Sequence, residues 1–198
     1  MRTLLLVDLQ KDFTKGGSLA VKKGEEVIPV ANRLIVSMNF DLIIATQDFH
    51  PLGHSSFKTE NNPKEWPVHC VQGTKGAELH DDLLTGRLDL IIRKGMKREV
   101  DSYSAFYDND GSSVGLGGYL RDRLTDPNVN PIYIMGLALD YCVKYTALDC
   151  VKLGFNTFLI EDGCRAVNIC KGDDDKAIEE MKTAGIKIVK SDSLIKKE

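Results

Sequence analysis

The fold is decided by a short apolar stretch, Thr3-Leu4-Leu5-Leu6-Val7, which is followed at once by Asp8. Near-continuous apolar runs of this length are typical of strands buried on both faces, as in the parallel sheets of α/β proteins. Five more β-rich runs follow along the chain: 41–46, 88–93, 132–136, 156–161 and 186–190. Because longer helical or irregular segments separate these runs, the sequence predicts an α/β protein with a parallel sheet.

Helical patterns lie between the predicted strands, at 25–38, 117–124, 141–153 and 173–184. In the first of these, apolar residues recur at three- and four-residue steps from Val27 to Met38, which predicts a helix that faces the core. Gly154 and Gly185 directly follow the last two, where a left-handed residue commonly ends a helix. No internal repeat or linker divides the sequence, so a single domain over residues 1–198 is expected.

Composition excludes several classes of protein. The formal net charge of −3 gives no electrostatic reason to expect nucleic acid or an acidic membrane as a partner. No stretch approaches the roughly 18 apolar residues of a membrane span, and the first residues show no signal-peptide pattern. The five cysteines include no Cys-x-x-Cys pair, which argues against a disulfide framework and a dithiol redox motif. A location in the reducing cytoplasm is therefore expected.

Three of the predicted strands lead to chemically reactive side chains: Asp8, Lys94 and Cys142. The carboxyl ends of parallel strands share one edge of the sheet, where ligands bind, so these side chains are expected to meet in one pocket. A thiol, a carboxylate and an ammonium together supply a nucleophile, a base and a charge stabiliser. The plainer alternatives are an inert buried thiol, a carboxylate that binds loop N–H groups and a solvated lysine.

The segment around Cys142 reads as a strand, a tight turn and the start of a helix. Asp140 is expected to cap that helix, which would place Cys142 in the first helical turn. There the helix dipole and the free backbone N–H groups favour the thiolate over the thiol. The same N–H groups can hold the oxyanion of a tetrahedral intermediate.

The sizes of the expected rate effects indicate different roles for Asp8 and Lys94. A free thiol is already a few per cent ionised near neutral pH, so complete ionisation gains at most about 30-fold in rate. Supplying a proton to a poor leaving group is worth about 10²–10⁴-fold. The group that takes the thiol proton should therefore also deliver it to the leaving amine. Asp8 can do this, and Lys94 is better suited to stabilising negative charge. Arg93 competes with Lys94, but side chains alternate along a strand, so only one can point into the site.

A second cluster follows the predicted strand 41–46, inside an irregular stretch from 47 to 87. Asp48 and His50 project to the same side of an extended segment, and a carboxylate with an imidazole suits zinc or a similar divalent ion. His69 and His54 in the same stretch are candidates for further ligands. The alternative is a set of surface histidines in a polar loop.

Aromatic residues accompany each reactive segment of the sequence. Phe13 follows Asp8, Tyr103 follows Lys94, and Trp66 lies in the histidine-containing stretch. This distribution predicts a flat substrate held by stacking, whereas the alternative is that these rings belong to the core.

Together these segments resemble the nicotinamidases of the isochorismatase-like cysteine hydrolase family. The matching segments run in the family's order: 7–13, 46–51, 66–70, 93–95, 101–106, 136–144 and 162–165. The resemblance implies a Rossmann-like, three-layer α/β sandwich, in which a six-stranded parallel sheet is flanked by helices. It also implies the hydrolysis of nicotinamide to nicotinate and ammonia through a thioester intermediate, a step in NAD salvage.

The resemblance also implies the roles of individual residues. The catalytic triad is Asp8, Lys94 and Cys142, and the oxyanion hole consists of the backbone N–H groups of Ala138 and Cys142, often with a cis peptide bond before the alanine. The ring pocket is lined by Phe13, Leu19, Trp66, Tyr103 and Tyr141.

The implied metal ligands are Asp48, His50 and His69, with His54, Glu60 or water in a fourth position. The metal is usually zinc, with iron and manganese as alternatives, and it binds the pyridine nitrogen of nicotinamide. The expected partner is thus a small molecule, nicotinamide or its ring analogue pyrazinamide. A homo-oligomeric state is left open.

Two other functions stay open on the sequence. A related cysteine amidase acting on a carbamoyl or ureido compound would keep Asp8, Lys94 and Cys142 but would not need the metal ligands. A nucleotide- or flavin-binding module is the third candidate. However, the first strand is followed by residues 9–12, Leu-Gln-Lys-Asp, with no glycine-rich phosphate loop.

Overall fold

A parallel sheet of six strands forms the centre of the computed structural model, which describes residues 1–60, 66–124 and 129–195. The strands are β1 (Thr3–Val7), β2 (Leu42–Asp48), β3 (Leu90–Lys94), β4 (Pro131–Leu137), β5 (Asn156–Arg165) and β6 (Lys187–Val189). Neighbours in the order β3-β2-β1-β4-β5-β6 pair in parallel throughout. This confirms the predicted Rossmann-like α/β sheet.

The helices are α1 (Val27–Ser37), α2 (Leu116–Arg123), α3 (Lys144–Lys152), α4 (Asp173–Thr183) and α5 (Ser191–Leu194). The apolar face of α1 is buried as predicted, with Ala31 and Leu34 fully inaccessible to solvent. Gly154 and Gly185 have positive φ angles of 87° and 93°, which confirms the predicted left-handed helix ends. None of the helices in the described ranges is long and apolar enough to span a membrane.

Burial along the strands follows their position in the sheet. Every residue of β1 and β2 is buried, whereas residues of the edge strand β3 alternate between half-buried and exposed until Lys94. Central strands covered on both faces explain the near-continuous apolar runs in the sequence. The predicted domain extent of 1–198 stays a prediction, since residues 61–65, 125–128 and 196–198 lie outside the described part.

Several element boundaries differ from the sequence-based expectation. The strand predicted at 156–161 continues to Arg165, because β5 pairs again with β4 beyond an irregularity between Ile134 and Gly136. The helix predicted at 141–153 consists of one π-helical turn, Leu139–Val143, followed by α3. Helix α5 was not predicted, because its four residues are too few to show a helical period.

The strand order determines where a site can form. The chain crosses from β1 to β2 and β3 in one direction and from β4 to β5 and β6 in the other, so the order reverses between β1 and β4. Ligands of such sheets bind at the carboxyl ends of the strands beside this reversal. The four adjacent strands β3, β2, β1 and β4 end there at or just before Lys94, Asp48, Asp8 and the segment of Cys142.

Candidate active site

Asp8 is the first residue after β1 and is completely buried. Its φ of +51° turns the chain away from the sheet. The Thr46 hydroxyl donates a hydrogen bond to Asp8 Oδ1 at 2.6 Å and accepts one from the Asp8 backbone N–H at 3.1 Å. Burial raises the pKa of Asp8, against the opposing effects of Lys94 and Thr46. The carboxylate is therefore fixed in place and more basic than an exposed aspartate.

Lys94 is the last residue of β3, and its ammonium group is buried among four partners. Lys94 Nζ lies 3.0 Å from Asp8 Oδ2 and donates hydrogen bonds to the Asp48 carboxylate, to the Ser102 carbonyl oxygen at 2.9 Å and to Cys142 Sγ at 3.3 Å. Burial lowers the pKa of Lys94, but the two carboxylates outweigh it and raise the pKa well above its ordinary value. The ammonium thus stays charged.

Arg93 points away from this site. Its guanidinium carbon lies 4.1 Å above the centre of the Phe49 ring, a cation–π contact. The alternation of side chains along β3 therefore excludes Arg93 and brings Lys94 to Asp8 and Cys142.

Cys142 lies in the π-helical turn that precedes α3 and is nearly inaccessible to solvent. Its Sγ and carboxylate oxygens of Asp8 and Asp48 all lie within 4.8 Å of one another. Burial raises the pKa of the thiol well above its ordinary value, and Lys94 only partly opposes this. Burial therefore outweighs the preference for thiolate that is expected at a helix start, and Cys142 needs a base to take its proton.

The segment before Cys142 contains the residues that the resemblance assigns to an oxyanion hole. The peptide bond between Leu137 and Ala138 is cis, as the resemblance implies. Ala138 and Cys142 line the same cavity. The assignment of their backbone N–H groups to an oxyanion stays a prediction.

Asp140 does not cap the helix, so that expectation is wrong. The helical turn begins after Ala138, with no hydrogen bond from a capping side chain. The buried Asp140 carboxylate instead accepts hydrogen bonds from the backbone N–H groups of Val167 at 3.0 Å and Asn168 at 2.8 Å. Since Val167 lines the cavity, Asp140 connects the cysteine turn to the opposite wall.

Replacing Asp140 with asparagine is expected to lower the free energy of unfolding by about 1 kcal/mol, because one partly buried N–H would lose its acceptor and face an amide NH₂ group. Urea denaturation measures the change. Asp122→Asn, at an exposed position on α2, is the matched control and should change stability by less than about 0.5 kcal/mol. Equal stability of the two variants would contradict the anchoring role of Asp140.

Three buried side chains converge beyond the end of β2. His50 Nε2 and His69 Nε2 lie 3.6 Å and 3.9 Å from Asp48 Oδ2. The opposite ring nitrogens, Nδ1, contact the carbonyl oxygens of Gly95 at 2.9 Å and Pro67 at 2.7 Å. Because a carbonyl oxygen only accepts, Nδ1 of a neutral ring carries the hydrogen and Nε2 presents its lone pair toward Asp48.

These residues fit a divalent metal ion. Within the described ranges, His50 Nε2 is buried and has no hydrogen-bond partner, a costly arrangement that a metal would relieve. The donor atoms of Asp48, His50 and His69 all lie within 4.8 Å of one another. Burial would raise the pKa of Asp48, but the Lys94 ammonium opposes this and holds the pKa below its usual range, so Asp48 would be an anionic ligand.

His54 contacts His50 but belongs to a different group of donor atoms. Its ring stacks on His50 with a centroid distance of 4.0 Å, and its nitrogens contact Ser56 Oγ at 2.7 Å and the Val100 carbonyl oxygen at 3.1 Å. Its donor atoms group with His50 and Asp101. The structure does not bring His54 together with Asp48 and His69, so its role as a ligand stays a prediction. Glu60, the acidic alternative, is exposed.

The predicted ring-pocket residues line one cavity together with Cys142, Asp48 and His69; they are Phe13, Leu19, Trp66, Tyr103 and Tyr141. Trp66 Nε1 donates a hydrogen bond to the Tyr103 hydroxyl at 3.2 Å, and the Trp66 and Tyr141 rings meet edge-on at 4.9 Å. Aromatic side chains thus line the cavity that Asp48 and His69 share with the thiol of Cys142.

Some cavity residues carried no assigned role in the sequence. Val21 and Val167 also line the cavity, but single valines in loops give no signal of a site. Asp101 lines it too and lies at the start of the matching segment 101–106. That position is the only feature of the sequence that indicates a place for Asp101 in the site.

Comparison with known proteins agrees with this geometry. The isochorismatase domain model matches residues 2–193. A nicotinamidase from Acinetobacter baylyi is 41% identical, with 97% of this chain and 94% of that protein aligned. The structure of PnC1 from L. infantum in complex with nicotinate is 39% identical, with a TM-score of 0.90 and coverage of 100% and 96%. A pyrazinamidase of Pyrococcus horikoshii in complex with zinc is 37% identical, with a TM-score of 0.78 and coverage of 96% and 98%.

Proposed function

Because this chain belongs to the isochorismatase domain family, we propose that it converts nicotinamide to nicotinate and ammonia, a step in NAD salvage. One observation carries the proposal: a single aromatic cavity holds both the buried thiol of Cys142 and the metal ligands Asp48 and His69. Proteins named nicotinamidase align over nearly the whole chain.

The aromatic walls hold the substrate ring, and the thiol faces its carboxamide. Asp48, His50 and His69 would hold a divalent metal ion. When bound, that ion supplies a Lewis-acid centre for the ring nitrogen. We propose zinc, in line with the zinc-bound pyrazinamidase of Pyrococcus horikoshii; iron and manganese are the alternatives.

The first half of the reaction forms a thioester. Asp8 takes the proton of Cys142, and Sγ attacks the carboxamide carbon to form a tetrahedral intermediate. The backbone N–H groups of Ala138 and Cys142 hold its oxyanion. Lys94, which contacts both Cys142 and Asp8, stabilises the negative charge throughout. The C–N bond then breaks, and ammonia leaves with the proton that Asp8 returns.

The second half releases the acid. Asp8, again a carboxylate, takes a proton from water, which attacks the thioester carbon. The C–S bond breaks, nicotinate leaves, and the sulfur regains a proton from Asp8. One residue thus serves as base and acid in both halves, which suits a carboxylate whose pKa burial has raised.

The closing test measures ammonia release from nicotinamide before and after chelation, with zinc, iron and manganese added back. Stripping the metal should abolish turnover, because the ring loses its anchor, and one or more of the ions should restore it. Full turnover of nicotinamide after verified metal removal would refute the proposal. Metal-independent turnover of a carbamoyl or ureido compound instead would favour the alternative amidase.

Pyrazinamide is a proposed second substrate, because one of its ring nitrogens has the same position relative to the carboxamide as the nitrogen of nicotinamide. The pyrazinamidase among the similar structures supports this. We also propose that residues 1–198 form a single domain, that the protein is cytoplasmic and that it forms a homo-oligomer. Limited proteolysis, cell fractionation and light scattering would test them.

The pH dependence of kcat/KM should report the raised pKa of Asp8. Only ionised Asp8 accepts the thiol proton, so the rate should fall as pH decreases, with a midpoint above the value of about 4 for a free aspartate. A rate profile from pH 4 to pH 9 measures this, with metal content checked at each pH, since protonated histidines release metal. A flat profile down to pH 4 with the metal retained would contradict it.

A further inference from the structure

Gln10 is a buried amide side chain that contacts the backbone of a metal ligand. It is fully inaccessible to solvent. Its Oε1 accepts a hydrogen bond from the Asp48 N–H at 2.8 Å, and its Nε2 donates to the Asp48 carbonyl oxygen, also at 2.8 Å. The same Nε2 donates to the Ala77 carbonyl oxygen at 2.9 Å. Both amide hydrogens and the amide oxygen are therefore in use.

This side chain replaces a missing strand neighbour. The register of β1 against β2 ends with Leu6 opposite Ala45, and at Asp8 the chain turns away from the sheet. Three residues beyond Ala45, Asp48 has no backbone of β1 beside it. The Gln10 amide supplies the acceptor and donor that a continuing strand would offer.

The other side of β2 is held by β3. Asp48 lies opposite Lys94 in the register of the two strands, and the Phe49 N–H donates to the Lys94 carbonyl oxygen at 2.9 Å. With Gln10 on one side and β3 on the other, the backbone at Asp48 is fixed from both directions. The direction of the Asp48 carboxylate, toward Lys94 on one oxygen and toward His50 and His69 on the other, depends on that backbone.

We propose that Gln10 is a positioning residue, which sets the orientation of Asp48 toward the bound metal. This inference rests on the proposed function, because it takes Asp48, His50 and His69 as the ligands. Partners that orient metal ligands from outside the ligand set typically affect metal affinity by about 10–100-fold.

Gln47 provides a matched control. Its Nε2 donates to the same Ala77 carbonyl oxygen at 2.8 Å, and its side chain is also buried. Within the part of the chain that the structure describes, however, the Gln47 side chain makes no hydrogen bond to the backbone of Asp48. Methionine is similar in length to glutamine but has no amide group. Replacing Gln10 with methionine removes both hydrogen bonds to the Asp48 backbone, whereas the same change at Gln47 removes none of them.

The test measures the zinc affinity of the apoproteins by competition with a chromophoric chelator, beside urea denaturation of each variant. Gln10→Met should bind zinc about 10-fold or more weakly than the parent, and Gln47→Met should bind it as the parent does. Equal affinity of Gln10→Met and parent, or an equal loss in both variants, would overturn the proposal. If Gln10→Met does not fold, Gln10→Glu, which loses both donors, takes its place under the same criteria.

Failure of the proposed function gives a different result. In that case the parent protein itself would bind no zinc, or would turn over nicotinamide without it. A parent that binds zinc and depends on it, beside a Gln10→Met variant of unchanged affinity, would refute the positioning role alone.

Discussion

Replacing Cys142 with alanine is expected to lower the rate of ammonia release from nicotinamide by about 10⁴-fold or more. Loss of the nucleophile removes the covalent route, and only binding and the oxyanion donors remain to assist direct attack by water. The substitution removes one sulfur atom from a buried side chain, so the protein should stay folded and bind its metal.

A coupled ammonia assay, with thermal unfolding and metal content as checks, measures this effect. Cys170→Ala is the matched control, because Cys170 is exposed and does not line the cavity, and it should retain the activity of the parent. A folded Cys142→Ala variant with more than a few per cent of the parent rate would exclude the thioester mechanism.

Replacing Asp8 with asparagine is expected to lower the same rate by about 10²–10⁴-fold, because an amide cannot shuttle the proton between thiol, ammonia and water. Asparagine has nearly the same shape and can still accept the hydrogen bond from Thr46. Lys94 keeps its contact with Asp48. The loss should therefore reflect proton transfer rather than a rearranged site.

An aryl ester of nicotinic acid makes the test sharper. Its leaving group needs no proton, so Asp8→Asn should recover part of the first half-reaction and release a burst of the aryl alcohol. Hydrolysis of the thioester still needs the base, so turnover after the burst should stay slow. Asp122→Asn should behave as the parent does. Equal losses in the rate of the first half-reaction with amide and ester would show that Asp8 does not protonate the leaving group.

The parallel-sheet rule explains why the centre of the site could be predicted from the sequence. Asp8, Lys94 and Cys142 lie at or after strand ends, and strand ends of a parallel sheet meet at one edge whatever their separation in sequence. The alternation of side chains along a strand likewise brought Asp48 and His50 to one side. Both rules can be applied from the local sequence pattern and the fold class alone.

The remaining contacts depend on how loops approach one another, which a local pattern does not determine. Asp140 has the sequence position of a helix cap, yet its oxygens accept hydrogen bonds from residues 27 and 28 positions later. His54 is close in sequence to His50, but hydrogen bonds to Ser56 and Val100 hold its ring. The pKa of the Cys142 thiol also depends on burial in the fold, which raises it and outweighs the lowering effect of the Lys94 ammonium.

The shared ammonium of Lys94 limits how this protein can diverge. One cation contacts the proposed nucleophile, its proposed base and a proposed metal ligand, so a descendant that loses Asp48 also changes the charge beside Cys142. A substitution at Asp48 that removes a metal ligand therefore also removes one of the two carboxylates that contact Lys94. Substrate range and reaction chemistry are inherited together in this architecture, and an engineer who wishes to retarget it should randomise position 48 jointly with the surroundings of Lys94.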